Sequence, residues 1–299
     1  MKIIEGKQCI LSKENKPVAT MAVGEIAQFN TIDCFGEQIN SEDQVVTSID
    51  FNFVNPTAGP VYIEGAQPGD VLVVDILDIE VNDKGVACTL PNMGPLRDKC
   101  SLRTKIFNIK DGYTDFNGIP IKIDPMVGVI GVAPKDEGIP CGFAHRHGGN
   151  IDSKLIKKGA RVYLPVFVEG ALLQMEDLHA VMGDGELCGT GLEIGGKIIF
   201  KVDLIKNFEL NWPITETTDR WYVNSRGEDY DKSLIQGVGE MARLMKPVYN
   251  WEIEDISIYI SLQGAVEVNQ GTRPDANETA GGMVNLRISI PKIPNKNLI

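Results

Sequence analysis

Apolar and polar residues alternate with a period of two through most of the first two thirds of the chain, the pattern of half-buried strands. PGDVLVVDILDIEVNDKGVACTL (68–90) carries two β-branched runs joined by Asn82-Asp83-Lys84-Gly85, which predicts a hairpin. GIPIKIDPMVGVIGVAP (118–134) places Ile at 119, 121 and 123. It then repeats Val-Gly-Val-Ile-Gly-Val, the mark of a strand closely approached by other parts of the chain. RVYLPVFVEG (161–170) and GKIIFKVDLI (196–205) read as further strands. With 31 Gly and 16 Pro punctuating short strands, the expected fold class is mainly β, a β-sandwich with a jelly-roll-like core.

The last third changes period. Leu234, Val238, Met241, Leu244 and Met245 fall near helical spacing in DKSLIQGVGEMARLMK (231–246), which predicts a helix stopping before Pro247. Asn250 is the expected N-cap of a second helix over WEIEDISIYISL, and VNLRISIPKI (284–293) returns to strand alternation. The chain therefore divides into a β core over 1–210 carrying the site and an α+β part over 211–299 packed on it. No compositional linker separates them, so one continuous domain is an equal reading.

Composition narrows the partners. At 299 residues with a formal net charge of −12, the surface repels phosphate backbones and anionic lipid. Neither nucleic acid nor a membrane is expected as a partner. The six cysteines form no CxxC pair and read as free thiols of a reducing compartment. The start, MKIIEGKQCILSKENK, lacks an apolar core with a small-residue cleavage site, and no run of 18 apolar residues occurs, so the expected location is cytoplasmic. A homodimer is the base-rate expectation.

Candidate chemistry gathers in two stretches. Two of the three histidines lie in CGFAHRHGGNIDSK (141–154) and the third, His179, lies in MEDLHAVMGDGELCGTG. In extended chain, residues i and i+2 share a face, so His145/His147, Asp177/His179 and Asp184/Glu186 make three such pairs within 42 residues. Gly148 and Gly149 allow close backbone approach, and Asn150 and Asp152 add polar heads. The arrangement suits either a polar cleft that binds zinc or a similar ion, or hydrogen-bonded structural imidazoles. MEDLHAVM also has near-helical spacing, which would pair His179 with Glu176 or Met175. Glu64, between an apolar strand and a glycine turn, is a cleft carboxylate or a solvated turn residue. Asp33 is a ligand or a turn former. Cys188, in GELCGTG, is a candidate nucleophile or an inert thiol. G-x-S-x-G, H-E-x-x-H and phosphate-loop signatures are missing.

Four segments together resemble the acetamidase/formamidase family: IDCFGEQI, NPTAGPVYIEGAQPGDVLVVDI, HGGNID (147–152) and LPVFVEGALLQMEDLHAVMGDGELCGTGLE (164–193). The resemblance implies a β-sandwich that hydrolyses short-chain amides such as formamide and acetamide to a carboxylate and ammonia. It covers Asp33, Glu64, His147, Asn150, Asp152, Asp177, His179, Asp184 and Glu186, leaves His145 outside, and favours extended chain around His179. Met182 stands where other members carry Gln.

With no serine or lysine nucleophile recognisable, metal-assisted hydrolysis is the favoured expectation. Asp33, His147, His179 and Asp184 are then the expected ligands of a divalent ion, zinc first. Glu64 or Glu186 is the expected general base, with Asp177 a further catalytic carboxylate. Gly148, Gly149, Asn150, Asp152 and Met182 are the expected substrate contacts, in a tight pocket. The alternatives are an amidase using Cys188 or a carboxylate as nucleophile, a non-catalytic small-molecule binder on the same fold, and a calcium ion serving structure alone.

Overall fold

The computed structural model describes residues 1–272 and 284–299. Strand makes up 41% of it and helix 13%, so the protein is mainly β, as the alternation predicts. Two sheets of nine strands face each other. In the first, the spatial order is Lys2–Ile4, Ile26–Thr31, Gly196–Ile205, Val71–Val81, Arg161–Pro165, Ile214–Glu216, Arg220–Gly227, Val284–Pro291 and Ala265–Gln270. The second runs Ala144–His145, Gly148–Asn150, Met126–Gly131, Leu173–His179, Glu193–Ile194, Lys84–Cys88 and Thr104–Asn108. Ala58–Ile63 also pairs with Leu173–His179, and Ala19–Met21 with Ala58–Ile63.

The Val71–Val81 strand shows why the first sheet holds the centre. Leu72, Val74 and Ile76 point into the core between the sheets, alongside Phe29 and Phe200, whose rings stack at 4.7 Å. Val71 and Val73 point the other way, into a second apolar cluster with Trp221, Val223 and Leu286. A strand buried on both faces reads as a continuous apolar run, which is what VLVV is. The second cluster is capped by helix α1 (Tyr230–Tyr249), through Met241, Leu244 and Met245, and by α2 (Ile253–Gln263), through Ile256. The first sheet runs unbroken across residue 210, because strands from 211–299 continue it beyond Arg161–Pro165, starting with Ile214–Glu216.

Three local expectations change. Val71–Val81 and Lys84–Cys88 are not a hairpin. The chain crosses at Asn82-Asp83 from the first sheet to the second, where Lys84–Cys88 pairs with Thr104–Asn108. Helix α1 passes through Pro247 to Tyr249. In a last turn the proline removes one amide donor, and the Asn250 amide still closes the helix on the Lys246 carbonyl at 3.0 Å. Asn250 is therefore the left-handed C-cap of α1 (φ 54°), and Glu252 takes the N-cap position of α2.

Candidate functional site

The site is built on two neighbouring strands of the second sheet. Met126–Gly131 and Leu173–His179 pair antiparallel, Val127 facing Leu178 and Val129 facing Glu176, with no register shift between. Met175 and Leu178 both enter the core although they are three apart, as do Val127 and Ile130. The change of phase falls at Gly128 and Asp177, the latter with φ +63°. Gly128 is where the close approach occurs. A Cβ there would stand 2.4 Å from Asp177 Oδ2 and 2.7 Å from Asp152 Oδ1, so the glycine makes room for two carboxylates.

Five carboxyl groups and one imidazole share this buried region: Asp152, Glu176, Asp177, Glu186, Glu193 and His179. His179 Nε2 lies 3.1 Å from Glu193 Oε2, 3.4 Å from Asp177 Oδ1 and 3.9 Å from Glu186 Oε1. These are charge contacts rather than aligned hydrogen bonds, since His179 Nε2 and Glu193 Oε2 lack a hydrogen-bond partner. Glu193 sits opposite His179 in the ladder, and its Oε1 accepts from the Gly191 amide at 2.8 Å. Gln270, at the end of a strand in the first sheet, donates to Asp152 Oδ2 at 2.6 Å and to Glu186 Oε2 at 3.0 Å. Asp152, Asp177 and Glu186 all have positive φ (51°, 63° and 46°), backbone strain of the kind held where function fixes a side chain.

The electrostatics follow from burial. Desolvation pushes Asp152 and Glu176 well above the usual carboxylate range, with neighbouring carboxylates adding to it. Burial raises Glu186, and Glu193 is pushed up to about 8. Burial alone would lower His179, but Glu193 and Asp177 outweigh it and hold the imidazole well above its ordinary value. Asp152 Oδ1, both oxygens of Glu176, His179 Nε2 and Glu193 Oε2 are buried with no hydrogen-bond partner. Such a crowd of acceptors beside one imidazole has the chemistry that could hold a divalent cation. Two trios fit one. Asp152, His179 and Glu186 each offer an atom within 4.8 Å of the others, as do Cys34, Asp177 and Glu193.

Most other sequence candidates lie apart from this cluster, and Met182 touches it. Asp33 shapes its own turn, accepting from the Glu37 amide at 3.0 Å, and its neighbour Cys34 is the residue that reaches the carboxylates. Asp184 takes a two-pronged contact from the buried Arg287 guanidinium (2.9 and 3.0 Å) and a third from Lys154. Glu64 is exposed at a strand end. His147 is buried with both ring nitrogens unpartnered, and desolvation lowers it to about 3, so it stays neutral. His145 packs on Trp212, ring centroids 6.0 Å apart. Gly148 and Gly149 are strand-paired on both sides, and a Cβ would meet Ile130 O at 2.3 Å or Phe143 O at 2.1 Å. Met182 Sδ lies 3.2 Å from His179 Nδ1. Cys188 is exposed, its thiol directed at the Thr190 carbonyl at 3.5 Å.

A cavity of about 590 Å³ opens above the cluster, and Cys34 and Gln270, which reach the carboxylates, also line it. It is wider than the tight pocket the sequence leads one to expect. Glu193, Cys34 and Gln270 escaped sequence reasoning, and Glu176 entered it only as a partner of His179 at helical spacing. Glu176 lies in the strand that ends at His179 and Glu193 in a two-residue strand after it, and the phase change at Asp177 and the pairing of Glu193 with His179 turn them inward.

The sequence pattern of the Acetamidase/Formamidase family matches residues 13–140 and 136–271. The chain belongs to this family. A formamidase of Methylophilus methylotrophus is 29% identical over 252 residues, covering 64% of this chain and 62% of that one. An acetamidase of Mycolicibacterium smegmatis is 29% identical over 238 residues, covering 56% and 58%. The chain thus spans about three fifths of the length of these curated family members. The crystal structure of an acetamidase from Bacillus halodurans superposes with a TM-score of 0.91 at 38% identity, over 97% of this chain and 96% of that one. No helix of the described residues is long and apolar enough to cross a membrane.

Proposed function

We propose that the protein is an amidohydrolase that cleaves the C–N bond of linear amides to a carboxylate and ammonia, with a divalent metal ion in the buried cluster. The observation that carries the reading is the set of unpartnered donors, Asp152 Oδ1, His179 Nε2 and Glu193 Oε2, packed with further carboxylates below an open cavity. Family membership and the names of the relatives support the reaction class.

Asp152, His179 and Glu186 would hold the ion, with the Cys34 thiol and Asp177 as further donors beside them. The mixture of imidazole, thiol and carboxylate suits zinc or a similar transition ion better than calcium, which selects oxygen. When bound, the ion would supply an activated water at neutral pH and stabilise charge on the carbonyl oxygen. The chain's own groups handle binding and protons. Glu193, whose Oε2 is unpartnered and lies 3.1 Å from His179 Nε2, takes a proton from the attacking water and returns it to the leaving nitrogen. The water oxygen bonds to the carbonyl carbon, the C–N bond breaks, and the nitrogen departs as ammonia. The free oxygens of Glu176 and Asn150 are acceptors suited to the amide NH2. Gln270 holds Asp152 and Glu186 in place from the opposite sheet.

Ammonia release from formamide and acetamide, with metal analysis before and after chelation, tests the scheme. The expected result is turnover that chelation abolishes and a divalent ion restores. Full turnover in metal-free protein would overturn the role of the ion, and no turnover in the metal-loaded protein would overturn the reaction.

A further inference from the structure

A cavity of about 590 Å³ falls in the range that takes ligands of drug-like size, and formamide or acetamide would leave most of it filled with water. Its walls are apolar, with Phe35, Phe51, Leu90, Met93 and Phe143 among them. The polar groups of the lining are amides, hydroxyls and thiols, and among the described residues no charged side chain lines it. Its floor is shared with the acidic cluster through Cys34 and Gln270. A neutral, apolar chamber over five carboxyl groups selects its occupant. An acyl chain gains by leaving water, whereas an anionic substituent loses its hydration and finds no cation in the walls to pair with.

We propose that this cavity is the acyl subsite, and that the preferred substrates are primary amides whose acyl group is neutral, apolar and larger than acetyl. The inference rests on the amidohydrolase reading above and sharpens it to a substrate class.

The test is kcat/KM of the metal-loaded full chain for formamide, acetamide, butyramide, hexanamide, phenylacetamide and succinamate. From acetamide to hexanamide the value should rise by about fourfold for each methylene buried. Phenylacetamide should exceed acetamide by about tenfold or more, and succinamate should fall about a hundredfold or more below butyramide. Values that fall as the acyl chain lengthens would overturn the subsite while leaving the reaction standing. Ammonia from none of the amides would overturn the reaction and the subsite with it. A filling variant gives a second readout. At Gly142 an added Cβ meets only Asn55 Nδ2, at 3.9 Å, so Gly142→Phe projects into the cavity without a backbone clash. The hexanamide-to-acetamide ratio should drop about tenfold or more. An unchanged ratio in a variant that melts with the wild type would contradict the assignment.

Discussion

Gly128→Ala is the smallest change that reaches the heart of the site. The added methyl would stand 2.4 Å from Asp177 Oδ2 and 2.7 Å from Asp152 Oδ1, both carboxylates on buried residues with left-handed backbone. The backbone at Gly128 is not itself left-handed, so alanine brings no φ penalty and the whole effect comes from displacing carboxylates. Overpacking of this kind costs about 1–3 kcal/mol. At roughly 2.1 cal/mol/K per residue over 299 residues, the melting temperature should fall by about 2–5 °C. Activity should suffer far more. Relief of the clash moves each carboxyl by about an ångström, a misplacement that costs on the order of a hundredfold in rate. Thermal melting and kcat/KM for acetamide, measured with the metal supplied, separate the two effects. A variant that melts normally and turns over within a factor of three of wild type would show that these carboxylates are not held for chemistry.

Other consequences follow from the same geometry. Glu193 titrates near 4.5 unfolded and about 8 folded, so between those values the native state holds the extra proton and metal-free protein loses stability as pH rises. The raised His179 works in the same direction above its unfolded value. The melting temperature of chelated protein should therefore fall from pH 5 to pH 8, with a ceiling on the order of 5 kcal/mol, and a divalent ion should reverse the loss at pH 8. A flat profile would refute the burial argument. Arg287→Lys replaces a buried fork on Asp184 and Glu267 with a point charge, and should cost about 2 kcal/mol, read as a melting shift of about 3 °C. Cys188→Ser should keep its ammonia release, since the thiol is exposed and turned to Thr190. Abolished turnover would revive a cysteine nucleophile.

The fold was legible where a strand's two faces differ or where both are buried, as in VLVV and in Gly196–Ile205. The hairpin at 82–85 was misread because a turn signal does not say whether the chain returns along its own sheet or crosses to another. At the site, the pairing of Asp177 with His179 and the Gly-Gly-Asn-x-Asp run single out two stretches that the fold brings together, where Asp152, His179 and Glu186 converge. What the sequence hides is partnership over distance. Asp184 reads like a ligand until Arg287, 103 residues away, is seen to hold it, and Gln270 reaches Asp152 across 118 residues. Glu176 lies beside Asp177, where strict alternation would put the two on opposite faces, and the positive φ at Asp177 brings both inward.

His179 is the one imidazole inside the carboxylate cluster, and the account stands or falls on it. The most direct measurement is ammonia release by His179→Gln beside the wild type, under one metal-loaded condition and with matched melting curves. The account predicts a loss in kcat/KM of about a thousandfold or more. A folded His179→Gln protein within tenfold of wild type would contradict it.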